Sequence, residues 1–145
     1  MSFVTIFRYN RNYFAVQEVF MINRRTEPFR YSFNPPLDAW IEIVEINGSP
    51  LPTKPAPIEL VDISKSGCRI RTALNLRAFS HNIRLLLHVR LNENSYAFTG
   101  EIRWQKELEP QIIHYGICLH LSDEEKEKLN VELRGMAAAR RIVVK

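Results

Sequence analysis

RLLLHVRL, residues 84–91, constrains the fold more than any other stretch of this chain. Leu85, Leu87, Val89 and Leu91 fall on one side of an extended backbone and Arg84, His88 and Arg90 on the other, with Leu86 the exception. A period of two is that of a strand with one buried and one solvated face. YAFTGEIRW, residues 96–104, repeats it, setting Tyr96, Phe98, Ile102 and Trp104 against Thr99, Glu101 and Arg103. The polar LNENSY between the two runs predicts a turn, so 84–104 reads as a hairpin. Further strands are predicted at 39–46, 57–63, 67–72 and 112–119, each ended by Gly, Pro, Asn or acidic residues. Six strands at this spacing favour a closed antiparallel barrel, because closure removes unpaired edges. Residues 47–57, NGSPLPTKPAP, are predicted as loop, since Pro50, Pro52, Pro55 and Pro57 cannot donate to a ladder.

The period changes near the C-terminus. Ser122 stands three residues before Glu125 as a capping box, and Asp123 and Glu124 occupy the first turn, where the helix dipole favours acids. Leu129, Leu133, Met136 and Ala137 then form one apolar stripe, which predicts a helix over about 122–141. Gly135 weakens its interior by about 1 kcal/mol relative to Ala. At 145 residues the chain fits one domain. The barrel and helix are assigned to 24–145, and residues 1–23 to an N-terminal extension, left open between an extra strand or hairpin and a cover over one barrel opening.

With 46% hydrophobic and 25% charged residues, the composition is that of a soluble globular protein. No run approaches the length of apolar chain a spanning helix needs, so membrane insertion is not expected and a cytoplasmic location is. Cys68 and Cys118 sit inside strand-like apolar runs and are read as reduced, buried thiols. The net charge of +4 and pI near 9.3 suit an anionic partner without separating nucleic acid, membrane surface or a small phosphate ligand.

Between the second and third predicted strands lies VDISKSGCRI, residues 61–70, with the order D-x-S-x-x-G at Asp62, Ser64 and Gly67. The minimal account is a turn: Asp62 and Ser64 bond nearby backbone, and Gly67 takes a left-handed conformation. A second segment, NRRTEPFRYSF (23–33), brings Arg24, Arg25 and Arg30 together just before the chain becomes strand-like. Taken by itself it is a solvated charge run. Arg69 and Arg71 alternate with Cys68 and Ile70 and so point outward, either as plain exposed barrel arginines, the favoured reading, or as an extension of the basic surface.

Together the two segments resemble the PilZ domain family, whose pattern is R-x-x-x-R, a spacer, then [DN]-x-S-x-x-G. Asp62, Ser64 and Gly67 match the second half, and Arg30 matches the second arginine, with the proline loop lengthening the spacer. Strict spacing would put the first arginine at position 26, which is Thr26; Arg25 stands one place early. The resemblance spans roughly 24–130, including the run from Gly100 to Trp104 and the HYGI stretch before the helix.

What the resemblance implies is a six-stranded barrel with a C-terminal helix that acts as a receptor for the bacterial second messenger cyclic di-GMP. Arg24, Arg25, Arg30, Asp62, Ser64 and Gly67 are then its binding residues. The chemistry suits those residue types. An arginine fork donates two bonds to a phosphate or to guanine O6 and N7, the latter worth about 1–3 kcal/mol of discrimination. A carboxylate accepts from the guanine N1 and N2 hydrogens, Ser64 serves a base edge or phosphate, and Gly67 leaves room for the ligand. Cyclic di-GMP is thus the expected ligand, with no cofactor and no metal. An effector protein in motility or polysaccharide machinery is the expected partner, DNA is not expected, and a homodimer is left open.

Three other readings carry different observables. A PilZ-like barrel serving only as a protein-interaction module is favoured by the displaced Arg25. Single-stranded nucleic acid binding is suggested by Tyr9, Tyr13, Phe14 and Tyr31 near arginines, and would show strong salt dependence. An enzyme is disfavoured: His114, Cys118 and His120 share strand parity, but no paired-cysteine motif supports a metal site, and neither a phosphate loop nor a G-x-S-x-G elbow occurs.

Overall fold

The structure, a computed structural model, describes residues 29–139 and 142–144. The extension assigned to 1–23, together with Arg24 and Arg25, lies outside the described residues.

The strands are β1 (Tyr31–Ile46), β2 (Ser49–Pro50), β3 (Ala56–Ile63), β4 (Gly67–Thr72), β5 (Ile83–Leu91), β6 (Asn94–Glu109), β7 (Ile112–His120) and β8 (Val143–Val144), with helix α1 (Asp123–Ala138) before β8. Six of them form a closed antiparallel ring in the order β1-β3-β4-β7-β6-β5, and β5 returns to pair with β1. Closure is possible because β1 is long enough to use both edges. Trp40 stands opposite Pro57 on β3 and opposite His88 on β5.

Alternation predicts the inner face well. Leu85, Leu87, Val89 and Leu91 are buried from β5, and Leu60, Ile70, Phe98, Tyr115 and Ile117 complete the same core from its neighbours. Strand lengths depart from expectation. β1 begins at Tyr31 instead of residue 39, with its pairing to β3 interrupted between Ser32 and Leu37. Pro35 and Pro36 lie in that gap, and a residue without an N–H cannot extend the ladder. The segment read as loop from 47 also contains a short hairpin. Asn47 and Gly48 both take positive φ, 50° and 83°, as a two-residue turn between twisted strands requires, and Ser49–Pro50 fold back on Glu45 and Ile46.

α1 starts at the predicted cap. The Ser122 hydroxyl accepts from the Glu125 N–H at 3.1 Å, and the Glu125 carboxylate accepts from the Ser122 N–H at 2.9 Å. Leu129, Leu133 and Met136 are buried in the barrel's core cluster and Ala137 is partly buried against it. A polar latch sets the helix's position: Glu132 accepts from the Asn94 amide at 2.7 Å, from the Tyr96 hydroxyl at 2.8 Å and from the Asn92 amide, all near the β5–β6 turn. Beyond the helix the tail returns, and Val143–Val144 pair with Tyr31–Ser32, an element no sequence period announces.

The Asn94, Asn92 and Tyr96 bonds hold the Glu132 carboxyl below its ordinary range, and burial with the Glu132 contact pushes the Tyr96 phenol up to about 12. A depressed carboxylate contributes stability above its unfolded pKa and loses it as pH falls through the folded value. Glu132→Gln therefore lowers the melting temperature at pH 7, at a cost of about 1 kcal/mol for an accessible carboxylate. The difference from wild type shrinks below about pH 4. Paired thermal melts at pH 7 and pH 3.5 check this; an equal gap at both would contradict the latch.

A basic cleft on the outer face of the barrel

The D-x-S-x-x-G segment joins β3 to β4 and holds its own shape. Ser64 N–H donates to the Gly67 carbonyl at 2.8 Å, and its hydroxyl, on a residue only 1% exposed, lies 3.3 Å from the same carbonyl and from the Ser66 N–H. Ser64 thus spends its hydrogen bonds inside the turn, while Ser66 borders the open cleft beside it. Gly67 does not have the positive φ expected of it. Its requirement is close approach, since a Cβ there would sit 2.6 Å from the Ile117 carbonyl oxygen on β7.

Arg30 and Asp62, 32 residues apart in sequence, meet here. Arg30 Nη1 donates to Asp62 Oδ1 at 2.9 Å, and Arg69 Nε stands 3.7 Å from Oδ2. The Asp62 side chain is 7% exposed and those of Arg30 and Arg69 are 42% and 33% exposed. The carboxylate is therefore a buried anchor, and the two guanidinium groups keep a wet side. They border a cleft of about 620 Å³, within the usual range for small-molecule sites. Its floor is the outer face of β4 and β7, where Gly67 and Gly116 present no side chains, and its far wall is Arg103 and Trp104 of β6.

That far wall corrects the sequence reading. Strict alternation sets Trp104 beside Tyr96 and Phe98, facing inward. Instead the ladder shifts between Ile102, opposite Ile117, and Trp104, opposite Gly116, leaving Arg103 as an inserted residue. One extra residue reverses every side chain that follows it. Trp104 is 44% exposed and lies over Gly116, where an added Cβ would fall 1.9 Å from the indole Nε1. Tyr96 stacks on Phe98 with centroids 5.4 Å apart and remains on the inner side.

Of the arginines read as exposed, Arg71 pairs with Glu59 at 2.6 Å and Arg69 belongs to the cleft. Cys68 is buried and its thiol pKa is pushed up by that burial; Cys118 is only half-buried and lines the cleft floor, so the expectation of two buried thiols holds for one. His114 lies on β7 between Arg71 and Lys106, 8% exposed, with Nδ1 lacking a hydrogen-bond partner. Burial first, then Arg69 and Arg71, hold its pKa below the ordinary imidazole value. Among the described residues, no group of three His, Cys, Asp or Glu side chains is placed to hold a metal ion, and no helix is long and apolar enough to cross a membrane.

With this geometry in place, residues 23–134 match the sequence profile of the PilZ domain. The chain belongs to the PilZ domain family. Its members are binding and receptor modules, and the family includes receptors for cyclic di-GMP. Two solved structures of MrkH from K. pneumonia share the fold. One, a crystal form of MrkH, has a TM-score of 0.51 at 21% identity, covering 82% of this chain and 54% of that one. The other, MrkH in its apo state, has a TM-score of 0.51 at 23% identity, covering 82% and 56%. The chain thus spans about half the length of the MrkH chains it matches. No curated protein sequence matches it.

The two floor glycines give separable predictions for this PilZ domain. Gly67→Ala forces backbone apart at the β4–β7 pairing and lowers stability by about 1–3 kcal/mol. Gly116→Ala displaces the indole of Trp104 and changes tryptophan emission, with the barrel still folded. Thermal melts and fluorescence spectra of the two variants test this; wild-type behaviour in both measurements would contradict the close packing of the floor.

Proposed function

We propose that the domain is a cytoplasmic receptor for cyclic di-GMP, and that nucleotide binding in the basic cleft alters the surface an effector protein reads. The observation that carries this reading is the Arg30–Asp62 contact, because it joins one arginine of the pattern's first half to the aspartate of its second at the edge of one cleft of suitable size. Two phosphates require cations, and two guanines require forks, acceptors and a flat surface. Arg30 and Arg69 supply guanidinium groups held by a common carboxylate. A carboxylate has about four lone-pair directions, so Asp62 can keep Arg30 and still accept from a guanine edge. The exposed indole of Trp104 offers a base a stacking surface, worth about 1–3 kcal/mol per base in nucleic-acid complexes.

Arg24 and Arg25 complete the proposal. They precede Arg30 by six and five residues, and an extended chain spans up to about 3.6 Å per residue, so both lie within about 22 Å of it along the chain. That reach lets them close over a bound nucleotide despite the displaced first arginine. Mutual repulsion among the arginines opposes closure until phosphates neutralise them, which couples ligand to conformation.

Titration calorimetry of the purified chain with cyclic di-GMP, using GTP as control, tests the reading. Arg30→Ala and Asp62→Ala are each expected to weaken binding about 100-fold or more. Asp62→Ala melts within a few degrees of wild type, whereas Arg30→Ala stays folded but melts lower, because it leaves the buried Asp62 carboxylate with Arg69 alone. Unchanged affinity in both variants would overturn the site. Wild-type protein that ignores the nucleotide would favour an interaction module on the same barrel.

A further inference from the structure

Arg103 has no place in either half of the family pattern, yet it occupies the cleft wall opposite Arg30. It is there because of the bulge. In an uninterrupted β6, residue 103 would alternate away from Trp104; as the inserted residue between Ile102 and Trp104, it is exposed and borders the same cavity as its neighbour. A bulge leaves one residue unpaired and disrupts the ladder locally, so it opposes regular pairing, and such irregularities commonly re-aim side chains beside binding sites.

The balance of charge across the cleft points the same way. Arg30 and Arg69 both face the Asp62 carboxylate. No carboxylate among the described residues lies within ion-pair distance of Arg103. Among the described residues the cleft therefore holds three guanidinium groups against one carboxylate, an excess of two positive charges, and one of the three is uncommitted on the far side. A cyclic dinucleotide has two singly charged phosphates on opposite sides of its ring. One fits the Arg30–Arg69 wall, and the other then faces β6.

We propose that Arg103, presented by the β6 bulge, is a ligand-binding residue that takes the second phosphate of the dinucleotide. It supplies from the far wall a cation that strict motif spacing would have placed at position 26, where the chain has Thr26. This rests on the cyclic di-GMP reading and adds to it a residue and a contact that the pattern does not contain.

The test is calorimetric titration of the full chain with cyclic di-GMP, comparing wild type with Arg103→Ala, Arg103→Lys and the control Arg90→Ala. Arg90 is an exposed arginine on β5 outside the cleft. Loss of a charge-assisted phosphate contact is expected to weaken Arg103→Ala about 10- to 100-fold and to flatten the salt dependence of binding. Arg103→Lys keeps most of the affinity, since lysine binds phosphate as a point charge. Arg90→Ala binds like wild type, and thermal melts show all three variants folded. Affinity of Arg103→Ala within twofold of wild type, or an equal loss in Arg90→Ala, would overturn the assignment. A loss in Arg103→Lys as deep as in the alanine variant would overturn the phosphate contact. Failure of wild type itself to bind would instead refute the receptor reading from which the proposal starts.

Discussion

A single buried carboxylate organises this molecule's surface. Asp62 sits at the end of β3 with almost no exposure, and the desolvation of an ionised carboxyl is tolerable only if cations come to it. Arg30 and Arg69 do so from β3's two neighbours in the ring, one from the residue before β1 and one from β4. The same requirement that neutralises Asp62 fixes two guanidinium groups side by side over a glycine floor, leaving their outer faces to solvent. Cleft geometry and charge thus follow from one electrostatic demand, and the barrel's closure keeps the three elements in register.

The small residues matter as much as the charged ones. Gly67 and Gly116 lie on adjacent strands, and each admits a close neighbour: a backbone carbonyl in one case, an indole in the other. Larger residues there would fill the floor or push Trp104 away. The bulge after Ile102 completes the arrangement by turning Trp104 outward, so that a residue suited to the core becomes a wall of the cleft. α1 lies outside this site, locked to the β5–β6 turn by Glu132.

Much of this was legible in the sequence. The inner face of β5, the capping box at Ser122 and the helix stripe followed from period and cap chemistry, because each is decided by neighbours within a few residues. The convergence of Arg30 and Asp62 followed from resemblance, but their direct ion pair did not, since nothing local announces a contact across 32 positions. Trp104 was misplaced because alternation cannot register one inserted residue, and the shift appears only when β7 is laid beside β6. Gly67 was assigned a left-handed turn where crowding by Ile117 is the real constraint. Arg69 was placed outward correctly, but its tie to Asp62 depends on strand pairing, and the returning tail at Val143–Val144 has no signature in a two-residue run.

The chain's two tryptophans report separately on the cleft and on the rest of the barrel. Trp104 lines the cleft, whereas Trp40 is comparably exposed on β1 and takes no part in it. Fluorine NMR of protein labelled with 5-fluorotryptophan, titrated with cyclic di-GMP, reads both sites in one spectrum. If cyclic di-GMP binds in the cleft, the Trp104 resonance shifts or broadens to saturation while that of Trp40 stays in place. A saturating ligand that moves Trp40 and leaves Trp104 unperturbed would contradict binding there.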